Sequence, residues 1–180
     1  MPVVEEADGP PESDRGAWRL SESKSGRLMM TKSKLKINQS YYFDAPPGKV
    51  FAALTEPDQL IRWFLSKARV DLKKGGRVEF TWEGGHKMVG KVMRVVADRE
   101  VAYAWRDDLG RGKEAKTLAE FKISKKGRGS MLKLNHSGFG DSKAWIELYG
   151  AIQSGWAYYL TNLKSVLQND TDLRSKHDWV

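Results

Sequence analysis

The chain contains no cysteine. A disulfide framework and a thiolate metal site are thereby excluded, and a reducing compartment suits it. Histidine is scarce too. His86, His136 and His177 lie far apart and show no ligand spacing, so neither a metal site nor a cofactor is expected. No HExxH, no GxSxG, no P-loop and no GxGxxG ahead of a helix is present, so no familiar catalytic residue set stands out. No stretch approaches the roughly 18 apolar residues of a membrane span. The opening MPVVEEADGPPESDRG is acidic and lacks the apolar run of a secretory signal. The expected location is the cytoplasm, without integral membrane association.

What is present suits one domain. Forty per cent of the 180 residues are apolar and seven are Trp, enough for a sizeable core. The net charge is +8, yet Met1–Asp14 holds five acids and no base, so the remainder carries +13. Nothing gathers these charges into a nucleic-acid motif, so a nucleic-acid partner is not expected. Lys122, Lys125, Lys126, Arg128 and Lys133 cluster on one hairpin and read as a solvated edge guarded against aggregation.

Residues 1–33 read as a flexible N-terminal tail, rich in Pro, Gly, Ser and Glu. Trp18, Leu20 and Leu28 are its apolar exceptions and suit a short docking segment. Met29 and Met30 offer an alternative start just ahead of the first clear strand. Residues 34–168 form the body, and 169–180 a C-terminal tail.

Within the body, Leu35, Ile37, Gln39, Tyr41 and Phe43 alternate with polar neighbours, the period of a strand with one buried face. Asp44 suits a helix cap and Pro46 or Pro47 a first turn. Val50, Phe51 and Leu54 share a helical face, and Pro57 starts a second short helix carrying Leu60, Ile61, Trp63 and Phe64. Gly75-Gly76 then marks a turn. Strands follow over Arg77–Trp82, Lys87–Val96 and Val101–Arg106. The pairs Val92-Met93 and Val95-Val96 suggest a bulge, or cover on both faces.

The next hairpin has a readable register. Taking Gly127-Arg128 as a two-residue turn with Gly first sets Ile123 opposite Leu132, Phe121 opposite Leu134 and Ala119 opposite His136. All six then share one face. His136 is thereby aimed inward, beside a small residue. Ser142–Leu167 reads as one long helix, which Asp141 or Ser142 can cap. Trp145, Leu148, Ile152, Trp156, Tyr159 and Leu163 form its apolar stripe. Gly150 and Gly155 interrupt it, which close approach to the sheet or room for a bound molecule would explain.

This order resembles the START-like, or SRPBCC, helix-grip superfamily. YYFDAPPGKVFAALTEPDQLIRWF, DLKKGGRVEF, GSMLKLNHSGF and Gly155-Trp156 with Leu160 and Leu163 resemble the bacterial proteins named after the activator of the heat-shock protein 90 ATPase. The likeness runs from about Lys36 to Leu167. It implies an α+β fold in which a curved antiparallel sheet wraps a long C-terminal helix, with two short helices after the first strand. Nothing in the chain matches the Asn- and Trp-rich N-terminal domain with which eukaryotic chaperone activators engage the chaperone.

The resemblance implies a cavity between sheet and helix. Trp82, Tyr103, Trp105, Ala119, His136, Phe139, Tyr149, Ile152 and Trp156 are its candidate ligand-binding residues. The expected function is non-catalytic binding of an apolar or amphipathic small molecule, lipid- or polyketide-like. A co-chaperone, stress-related interaction domain is one alternative. A cyclase-like enzyme using His136 as acid or base is the other.

Overall fold

The hairpin with the readable turn anchors the architecture. The structure, a computed structural model, describes residues 35–106 and 114–174, together with the backbone of 18–22, 28–32 and 107–108. Strand β8 (Glu114–Lys126) pairs antiparallel with β9 (Gly129–Ser137), with Ile123 facing Leu132, Phe121 facing Leu134 and Ala119 facing His136. The register is the one set by Gly127-Arg128. Gly127 has φ +56° while Arg128 stays at negative φ, as a turn with Gly in its first central position requires.

The remaining strands extend this pair on both sides. Strand β3 (Lys36–Phe43) lies against β9. On the other side come β7 (Glu100–Asp108), β6 (Lys87–Val96), β5 (Arg77–Thr81) and β4 (Lys67–Val70), giving one seven-stranded antiparallel sheet ordered β3-β9-β8-β7-β6-β5-β4. The register between β6 and β7 slips between Val92 and Arg94. Of the two readings of the apolar pairs, this is the bulge; Met93 and Val96 are exposed, so the strand is not covered on both faces. Helices α1 (Pro47–Thr55) and α2 (Pro57–Ile61) follow β3, and α3 (Lys143–Asn169) crosses the sheet. Ahead of the body, β1 (Trp18–Glu22) pairs with β2 (Leu28–Lys32) in a separate two-stranded sheet, inside the stretch read from composition as a tail. The side chains of Trp18, Leu20 and Leu28, and all of His177, lie outside the described residues.

The buried face carries Ile37, Phe43, Val78, Phe80, Val101, Tyr103, Phe121, Ile123, Leu132 and Leu134. These meet Val50, Leu54 and Leu60 from the short helices, Trp63 from the turn after α2, and Trp145, Trp156, Leu160 and Leu163 from α3. The second helix ends at Ile61, so Trp63 and Phe64 stand beyond it rather than on it as expected. Burial of each large side chain contributes about 1.5–3 kcal/mol.

Four local expectations need correction. Strand β4 is absent from the sequence reading. It is a four-residue edge strand whose two inward residues, Ala68 and Val70, are only half-buried, and two apolar positions are too few to read as a period. Asp44 does not cap α1, whose cap position is Pro46 with no side-chain bond. Ser142 stands at the cap position of α3, but its hydroxyl is buried without a hydrogen-bond partner. Finally, a Cβ at Gly150 or Gly155 would meet nothing within 4 Å. Close approach to the sheet therefore does not explain either glycine.

Candidate functional site

Helix α3 is packed unevenly. From Ile146 to Gly155 no side chain is fully buried, whereas Trp156, Leu160, Asn162, Leu163 and Val166 are. Beneath the loose stretch lies a cavity of about 560 Å³. Its walls are Phe64, Trp82, His86 and Trp105 on one side and Leu148, Ala151, Ile152, Gly155, Trp156 and Tyr159 on α3. His86 and Ala151 are exposed and mark the mouth. Gly155 gives the helix no side chain there, which leaves space rather than closeness.

The walls are rings. Phe64 stacks on Trp63 at 4.9 Å and meets Tyr159 at 4.9 Å and Trp82 and Trp156 at 5.3 Å. Trp105 stands 5.4 Å from Trp156 and 5.8 Å from Trp82. Such edge-on and tilted pairs are favoured by the ring quadrupole. Polar groups are few: the His86 ring, the indole N–H groups and the Tyr159 hydroxyl. Burial raises the Tyr159 hydroxyl above its ordinary range, and the charge of Arg174 partly offsets this.

Of the nine residues singled out from sequence, Trp82, Trp105, Ile152 and Trp156 line this cavity. The other five are not among its walls. Tyr103 is buried and its hydroxyl donates to the Leu54 carbonyl at 2.8 Å. Ala119 is fully buried, so no open space remains beside it. Phe139 is buried with its ring 5.0 Å from His136 and 5.2 Å from Tyr149. The Tyr149 hydroxyl donates to the Lys36 carbonyl at 3.3 Å. Gly155, one of the two helix glycines read as leaving room for a bound molecule, is also a wall residue, and Phe64, His86, Leu148, Ala151 and Tyr159 complete the walls without having been singled out.

His136 is buried behind two of the wall rings, 5.9 Å from Trp105 and 6.2 Å from Trp156, with 0 % exposure. The Trp156 indole Nε1–H donates to its Nδ1 at 2.9 Å, and its Nε2 stands 2.7 Å from Thr117 Oγ1. An indole N–H can only donate, so Nδ1 must accept. The neutral ring therefore carries its proton on Nε2 and gives it to Thr117. Burial lowers the pKa of His136 from 6.5 to about 3, because a charged ring would lose its hydration and confront the indole N–H. Both nitrogens are committed. Among the described residues no group of three or more His, Asp or Glu is placed to hold a metal, and no helix is long and apolar enough to cross a membrane.

MLL2253 from Mesorhizobium loti superposes with a TM-score of 0.67 at 21% identity, over 77% of this chain and 100% of that one. CalU16 from Micromonospora echinospora superposes at 0.59 with 24% identity, over 87% of each chain. PFC0360w, an HSP90 activator from Plasmodium falciparum, superposes at 0.61 with 23% identity, over 74% of this chain and 96% of that one. At these identities the likeness is one of fold, and the fold is the helix grip. Among curated proteins no relative matches. The family model described as activator of Hsp90 ATPase homolog 1-like protein matches residues 44–168. With more than half of its length so matched, the chain belongs to the activator of Hsp90 ATPase homolog 1-like family.

Proposed function

We propose that the domain binds one apolar or amphipathic small molecule, lipid- or polyketide-like, in the cavity beneath α3 and performs no chemistry on it. The observation that carries this reading is the ring-walled space of about 560 Å³ under the unpacked half of α3. Its size lies within the roughly 300–1,000 Å³ of small-molecule sites, which are mostly apolar with few polar groups. In this reading Trp82, Trp105, Ile152 and Trp156 touch the ligand together with Phe64 and Tyr159. Tyr103, Ala119, His136, Phe139 and Tyr149 stand outside the walls. The binding unit is the body from residue 34 onward, with 1–33 outside it.

A cyclase-like role for His136 finds little support in the geometry. Both of its nitrogens are bonded, the one proton of the neutral ring is engaged by Thr117, and it does not line the cavity. Titration with Nile red tests the binding reading. Saturable uptake with a change in Trp emission is expected, and Ala151→Trp at the mouth should weaken it while the domain stays folded. A folded wild-type protein that takes up no member of a lipid and polyketide panel would overturn the reading.

The family match and the likeness to the Plasmodium falciparum HSP90 activator favour a second reading, a co-chaperone. A pull-down with purified chaperone and measurement of its ATPase rate separate the two. Stimulation unaffected by Ala151→Trp would favour the co-chaperone.

A further inference from the structure

The residues after α3 lie beyond the stretch matched by the family and turn back on the body. Asp170 takes the left-handed conformation, φ +49°, where the helix ends, one that Asp tolerates better than most residues. The reversal brings Arg174 against the segment that follows α2. Its Nη2 donates to the Ile61 carbonyl at 2.7 Å and its Nη1 to the Leu65 carbonyl at 3.2 Å. Its Nε and Nη2 also hold the Asp172 carboxylate at 2.8–3.1 Å. Asn162, fully buried on α3, donates through Nδ2 to the Trp63 carbonyl and to Asp172 Oδ1, each at 2.8 Å. Its Oδ1 accepts the Leu173 N–H at 2.7 Å.

Three alternate carbonyls, at 61, 63 and 65, thus end on Arg174 or Asn162. They lie at and just beyond the end of a five-residue helix, where backbone carbonyls lack intrahelical partners. In the middle of this segment is Phe64. Its ring meets six others and forms part of the cavity wall. Phe64, Trp105 and Trp156 also border a void of about 10 Å³ deeper in the core, so they separate the cavity from the interior.

We infer that Arg174, Asp172 and Asn162 form a latch that positions Phe64 and thereby sets the inner wall of the cavity, an inference that rests on the cavity being the binding site. The guanidinium is suited to this. Its planar fork reaches two carbonyls and a carboxylate at once, which the single ammonium of Lys cannot do. The Arg174 side chain is only 15 % exposed, so little water competes for these bonds. Arg174 is a positioning residue: it acts on the cavity through Phe64.

The test compares wild type with Arg174→Lys and Arg174→Gly in the full chain, by amide hydrogen exchange and Nile red titration. Arg174→Lys should speed exchange in residues 61–66 at least tenfold and leave β8 and β9 unchanged. It should weaken Nile red about fivefold, with a melting temperature within a few degrees of wild type. Ethylguanidinium, but not ethylammonium, should restore Nile red binding to Arg174→Gly. Unchanged exchange at 61–66 would overturn the latch, as would faster exchange with Nile red affinity intact. If wild type takes up no Nile red, the binding reading fails by itself. Trp emission then decides the latch: a red shift in Arg174→Lys, from loosened Phe64 packing on Trp105 and Trp156, supports it, and an unshifted spectrum overturns it.

Discussion

The two halves of α3 carry similar apolar patterns and meet different fates. Trp156 to Val166 places five side chains in the core, whereas Ile146 to Gly155 places none there. Leu148 and Ile152 belong to the same stripe as Trp156 and Leu163, yet they are half-buried over a cavity. The difference comes from what stands opposite. The later half meets Trp63, Phe64 and the short helices, which fill the space. The earlier half faces Trp82 and Trp105 across a gap, with no residue from α1 or α2 between them. An apolar stripe thus marks the face a helix turns inward, not how much of that face finds a partner.

The largest expected effect breaks the comparison at its boundary. Trp156 belongs to both regions, since it lines the cavity and donates to His136. Trp156→Ala should cost about 3–5 kcal/mol in urea unfolding, because it opens the core and leaves His136 Nδ1 unpaired. A cost near that of an exposed substitution would show that the packed half does not depend on this contact.

Acid sharpens the contrast next. Folded His136 takes up a proton only near pH 3, the unfolded residue near 6.5. Unfolding therefore binds a proton as pH falls through that window, and stability declines from about 6.5 downward. The loss approaches about 1.4 kcal/mol per pH unit. Buried carboxylates contribute only lower. The Asp172 carboxyl is raised by burial, but hydrogen bonds from Arg174 and Asn162 hold it below its ordinary value of 3.8. Urea titrations between pH 6.5 and 5 should show the decline in wild type and a flatter profile in His136→Gln. Equal slopes would place the proton uptake elsewhere.

The two glycines give a smaller and more discriminating test. A methyl at either position meets no atom within 4 Å, so Gly150→Ala and Gly155→Ala should each stabilise the helix by about 0.5–1 kcal/mol. Only position 155 lines the cavity. Thermal melts should therefore rise for both, while Gly155→Leu alone weakens Nile red uptake. The smallest effect belongs to the exposed basic hairpin. Lys126→Ala should change stability by under about 0.5 kcal/mol, and a larger loss would point to a structural role for that edge.

Much of the grip was legible because its signals are local. The Gly127-Arg128 turn and the alternation on both sides of it agree on one register, and a slip by one residue would turn every apolar side chain outward. The site was legible only in part. The apolar pattern marked both Trp63 and Phe64 for burial, and both are buried. It could not say that Phe64 reaches Trp82 and Tyr159, because the backbone turns only after α2. His136 shows the same division. Its inward aim follows from hairpin register, but its partners Trp156 and Thr117 arrive from a helix and from a neighbouring strand position.

By itself, the sequence determined the strands with one buried face, the β8–β9 register and the stripe of α3. Each is set by the period of side chains along one element or by turn chemistry, and needs no distant contact. Only the tertiary structure decided that the early half of α3 stands over an open space, that His136 is closed off, and that Arg174 folds back onto Ile61 and Leu65. Those outcomes depend on the volumes brought together from segments distant in the sequence, and on which backbone carbonyls the short helix left unpaired.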